Sequence, residues 1–153
     1  MNNVSKNFEL LYHAYLDERF ISINKDQFAQ LLKIFPSLLI LNSDGIVDKE
    51  EKLVMGIQAS KLGYEYATDD LGLEKEENLM LIFKDEFKYL LKNSQKWEEK
   101  FLGVLKEFIK SDADGKLKIK ETMQLFASAS DGTSKEEAHA MSYLIDYLEL
   151  EQG

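Results

Sequence analysis

The chain has 153 residues, 44% of them apolar and 31% charged, with one proline and no cysteine. That composition fits a single globular domain over residues 1–153 and excludes a disulfide scaffold, a cysteine-ligated zinc site and thiol catalysis. Acidic residues outnumber basic ones 28 to 19, for a formal charge of -9. Such a field repels phosphate backbones, so nucleic acid is not an expected partner, and it attracts cations.

Apolar residues recur three and four apart along almost the whole length, with no sustained alternation of period two, which predicts an all-α fold of about seven helices. Residues 1–20 carry Lys6, Glu9, Asp17, Glu18 and Arg19 among apolar positions. That is a helical pattern rather than a signal peptide. The longest aliphatic run is Leu38-Leu39-Ile40-Leu41, far short of the roughly 20 residues that span a bilayer. A cytoplasmic location is the expectation. Asn24 with Gln27 opens a second helix, which Pro36 is expected to bend or restart, because proline lacks the amide proton and crowds the preceding turn.

Asp48-Lys49-Glu50-Glu51 opens the third helix as a capping box, with Gly63 expected as its C-cap and residues 64–73 as a connection. Glu74-Lys75-Glu76-Glu77 starts a fourth, running to about Asn93, and Ser94 is expected to cap the fifth, whose stripe includes Trp97. Asp112-Ala113-Asp114-Gly115 is read as the exit from that helix, followed by a short helix over residues 118–129. Ser134-Lys135-Glu136-Glu137 caps a last helix reaching Leu150.

Three Asp-Gly turns stand between these segments, at Asp44-Gly45, Asp114-Gly115 and Asp131-Gly132. Glycine at a helix exit and aspartate beside it have an ordinary structural explanation. Beyond that, two of the turns are followed by similar caps, an approximate internal repeat. Asn42-Ser43-Asp44-Gly45-Ile46-Val47-Asp48-Lys49-Glu50-Glu51 in the first half and Ser130-Asp131-Gly132-Thr133-Ser134-Lys135-Glu136-Glu137 in the second resemble the tellurite-resistance TerB-like family. The second copy lacks the apolar spacer residue of the first. The resemblance implies an all-helical domain, a bacterial cytoplasmic setting, cation binding at the acidic clusters, partners in stress response or at the membrane surface, and no known enzymatic chemistry.

The candidate ligands are Asp44, Asp48, Glu51, Asp131 and Glu137, and the ion is Ca²⁺ or another hard divalent cation held weakly, since few carboxylates are offered. The best single cluster read from the sequence is Asp44, Asp48 and Glu51. An EF-hand register fails at both candidate loops: with Gly115 at the sixth position Lys110 falls at the first, and with Gly45 there Ile40 does. Glu136 and His139 make one Glu-x-x-His, but a di-iron bundle needs two. With only His13 and His139, nucleophilic triads lack raw material.

Six acids after Ala127 face only Lys135, so that end is read either as a solvated face or as a docking surface for a basic protein. Tyr143 and Tyr147, four apart, are read either as packing or as a contact face. The expected function is a non-catalytic, cation-responsive or protein-interaction module. A small metal-dependent enzyme built on a carboxylate cluster and an ion-independent scaffold stand as alternatives.

Overall fold

The computed structural model describes residues 5–43, 45, 47–68, 75–129 and 133–151. These form seven helices: α1 (Lys6–Arg19), α2 (Lys25–Asn42), α3 (Lys49–Tyr66), α4 (Lys75–Lys92), α5 (Ser94–Phe108), α6 (Ala113–Ala127) and α7 (Lys135–Leu148). Among the described residues there is no strand. Among the described residues no helix is long and apolar enough to cross a membrane.

The architecture centres on α2, which is apolar on nearly every side and packs against α3, α4, α5, α6 and α7. Phe28, Leu31, Leu32, Phe35, Leu38, Ile40 and Leu41 are fully enclosed. Burying side chains of this size stabilises the fold by about 2 kcal/mol each. That enclosure overrides the expected effect of Pro36, for the helix runs on without a restart. The surrounding helices hold the α2 backbone in place where proline removes one internal hydrogen bond.

α1 lays Phe8, Leu11 and Tyr15 onto this core. Its rings join an aromatic cluster in which Tyr15 meets Trp97 at 5.1 Å and Phe35 meets Phe101 at 4.8 Å between centroids. Edge-on and tilted pairs of this kind set the ring edges against the electron-rich faces. Trp97 is core, as its stripe predicts, and its indole N–H donates to the Tyr89 hydroxyl at 2.9 Å.

Three helix ends differ from the sequence reading. α3 does not stop at Gly63 but continues to Tyr66, with Gly63 buried inside it. A left-handed glycine is not needed there because the Gln27 side-chain amide donates to the Tyr66 carbonyl at 2.8 Å, satisfying a terminal acceptor. Ser94 is the first residue of α5 rather than its cap, and its hydroxyl accepts from the Asn42 side chain at 3.2 Å.

The Asp112–Gly115 segment is not a helix exit but the first turn of α6: Asp112 is the N-cap and accepts from the Gly115 amide at 2.9 Å. A Cβ at Gly115 would lie 2.4 Å from the Asp112 carboxylate, so glycine is required by the cap itself. Gly45, in contrast, has the left-handed backbone (φ +79°) expected of the chain leaving α2.

The single arginine does form a bidentate clamp. Arg19 in the last turn of α1 donates from Nε and Nη2 to the two carboxylate oxygens of Glu86 on α4, at 2.7 and 2.9 Å. The Tyr15 hydroxyl donates to the same Oε1 at 2.6 Å. The guanidinium also lies 3.9 Å over the Tyr89 ring. Burial, reinforced by the Glu86 charge, pushes the Tyr15 phenol above its ordinary value, keeping it a donor.

Glu86 is only 2% exposed, so removing its cation leaves a buried charge with one neutral donor. Arg19→Met is therefore expected to lower unfolding free energy by about 3 kcal/mol, and Arg19→Met with Glu86→Met and Tyr15→Phe, which also removes the hydroxyl that would lose its acceptor, to recover most of that loss. Urea denaturation of the two variants against the parent measures both quantities. A single variant as stable as the parent would dissociate this network from the fold.

Candidate functional site

The second and third capping boxes are built as the sequence predicts. Asp48 accepts from the Glu51 amide at 2.9 Å, while Glu51 Oε1 reaches back to accept from the Asp48 amide at 3.0 Å. At α7, Ser134 accepts from the Glu137 amide at 3.0 Å, and Glu137 Oε1 accepts from the Ser134 amide at 2.9 Å. Each arrangement satisfies orphan amides of a first helical turn and ordinarily leaves the glutamate near solvent.

Here both glutamates are 2% exposed. α3 and α7 both rest on α2, and the Glu137 carboxyl lies close enough to that of Glu51 to act on its protonation. Two carboxylates so placed do not both ionise readily. Burial first, and then the hydrogen bond and charge of Glu137, push Glu51 up to about 7, overcoming the opposing effect of the Asp48 amide. Among the described residues no donor reaches Glu137 Oε2, although that oxygen is buried. A carboxylate oxygen held out of water without a donor is costly.

Of the five sequence-predicted ligands, Glu51 and Glu137 are thus brought together from opposite halves of the chain. Asp48 is half-buried and holds the cap that orients Glu51. Asp44 and Asp131 lie outside the described residues. Among the described residues no group of three or more histidine, aspartate or glutamate side chains is gathered to hold a metal. The cluster read from the sequence lay within one turn, around Asp44, Asp48 and Glu51. The described contact instead joins the two repeated caps to each other. The repeat itself carried that signal, because equivalent segments packed on one central helix present equivalent side chains toward each other.

The other motifs resolve into structural roles. Glu136 and His139 are both exposed. Asp114 lies within 3.4 Å of Lys118 on the α6 surface. The acidic end carries less free charge than its composition suggests. Glu149 lies 3.6 Å from Lys106 and Glu151 2.5 Å from Lys120, with Glu137 buried, which leaves Glu136 and Asp146 as its exposed acids outside any ion pair among the described residues. Tyr143 and Tyr147 stack at 6.0 Å, and Lys106 lies 4.9 Å over the Tyr147 ring.

Sequence reasoning missed the buried Glu86. Its signal was position, since it falls three residues after Phe83 and immediately before Phe87 on the buried arc of α4. In comparisons with known proteins, the chain matches no family model, no curated protein and no solved structure.

The carboxyl pair has a definite pH signature. Between the ordinary value of 4.5 and about 7 the native state keeps a proton that the unfolded chain has released. Native protein binds more protons there, so this contribution to stability is present at low pH and is lost as pH rises through that window. Glu51→Gln resembles the protonated form and retains the acceptor needed by the Asp48 amide. In chelator, its stability relative to the parent is expected to be near zero at pH 5 and to grow to about 1–2 kcal/mol in the variant's favour at pH 8. Urea titrations at stepped pH check this, and a difference that stays constant with pH would remove the coupled pair.

Proposed function

We propose that the chain is a non-catalytic helical module that responds to a hard divalent cation at the junction of the α3 and α7 caps. The observation that carries this reading is the buried meeting of Glu51 and Glu137, with Glu137 Oε2 lacking a donor. A divalent ion bound there neutralises the mutual repulsion of the two carboxylates and replaces the proton that the pair otherwise retains.

Glu51 and Glu137 supply the anchoring oxygens. Asp48 keeps Glu51 turned toward the junction through the capping box. Asp44 precedes Asp48 by four residues and Asp131 precedes Ser134 by three, and they are proposed as further ligands on the strength of the repeated segments. Calcium takes six to eight oxygens and tolerates irregular geometry, so carbonyls and water complete a weak site. The likeness of both segments to the TerB-like family supports the same reading. A cation held between two helix starts stabilises their docking on α2, which is a structural response and requires no chemical step.

A Kd of about 1 mM with ion at about 10 mM gives roughly 1.4 kcal/mol of stabilisation, a rise of about 3–6 °C in Tm for a chain of this size. Thermal melts in calcium, magnesium and manganese are expected to show that rise at pH 8 and a smaller one at pH 5.5, where protons compete. Glu51→Gln with Glu137→Gln should abolish it, and Asp44→Asn with Asp131→Asn should weaken it. Melts unmoved by all three ions at pH 8 would overturn the cation reading and favour an ion-independent scaffold.

A further inference from the structure

We propose that the groove between α3 and α4 is a docking site for an acidic amphipathic helix of a partner protein, a reading that stands apart from the cation junction. The groove encloses about 650 Å³. Leu53 and Ile57, four apart on α3, are 65% and 56% exposed beside it. Phe87 and Leu91 of α4 form the facing wall. One helical face is thereby left apolar and open.

Among the described residues the charged side chains lining this groove are all lysine: Lys52 on one wall, Lys84 and Lys88 on the other. None of the three is ion-paired among the described residues. In a chain of net charge -9, such a strip selects a negatively charged occupant by complementarity. Basic groups on both walls and at successive turns match a ligand with several acids flanking an apolar stripe. An acyl chain with one anionic head offers only a single partner for them. The α3 wall from Lys52 to Ser60 extends along about 12 Å of helix, enough for a helical segment anchored at i, i+3, i+4 and i+7.

Gly56 lines the floor. A Cβ there would meet nothing closer than the Lys84 Cε at 4.0 Å, so a larger residue fits sterically. Glycine inside a helix costs about 1 kcal/mol relative to alanine. The chain carries that cost at a position that lines the groove.

The test uses the full chain in EDTA, so that its outcome is independent of cation binding. The probe is a fluorescein-labelled helical peptide of about 16 residues with leucines at i, i+3, i+4 and i+7 and glutamates beside them, followed by anisotropy. Saturable, salt-sensitive binding is expected. Gly56→Leu, which fills the floor, should weaken it at least about tenfold, as should Lys52→Glu with Lys84→Glu and Lys88→Glu. Circular dichroism melts establish that each variant is folded. Equal binding of a peptide with lysine in place of every glutamate, or unchanged affinity in both variants, overturns the proposal. So does displacement of the peptide by oleate or by phosphatidylglycerol vesicles, or a dimer in sedimentation that the lysine substitutions dissolve, since these assign the groove to a lipid or to a second copy.

Discussion

Two like charges pressed together out of water set the terms for this molecule. Glu51 and Glu137 each begin as an ordinary device, the returning arm of a capping box, and each is held in place by an amide of its own helix start. Packing both starts against α2 removes the solvent that would have separated them electrostatically. Glu51 then keeps its proton up to about pH 7. Its environment, rather than any unusual residue, sets the two helix caps apart from ordinary ones.

The same logic, with the opposite sign of solution, operates at the other buried carboxylate. Glu86 accepts two hydrogen bonds from Arg19 and a third from Tyr15, with Tyr89 beneath the guanidinium. One carboxylate is matched in charge and hydrogen bonding, and the other pair is not. A matched buried ion pair fixes the placement of α1 against α4, whereas an unmatched pair leaves free energy available to a ligand. The contrast explains why the functional reading rests on the α3 and α7 junction and the structural one on α1.

Much of the fold was legible in the amino acids. Seven helices, three of the capping boxes and the burial of Trp97 follow from spacing and from the hydrogen-bonding ability of Asn24, Asp48 and Ser134. Where reading failed, a distant contact had replaced a local signal. Gly63 reads as a stop, yet Gln27 from α2 satisfies the end of a longer α3. Asp114-Gly115 reads as an exit turn, yet the glycine serves the Asp112 cap one step earlier. Pro36 reads as a break, yet the core encloses it.

The sequence by itself determined which segments become helices and where carboxylates sit at their starts, because those preferences act over three or four residues and are written in neighbouring side chains. It also marked Glu51 and Glu137 as equivalent positions of a repeat. Only the tertiary structure decided that these two meet, that Glu86 is buried against the lone arginine, and that α3 and α4 leave a lysine-lined trough. Those outcomes depend on which faces pack together over separations of tens of residues, and solvent exclusion at such contacts, which no local pattern encodes, sets the energy of every charge involved.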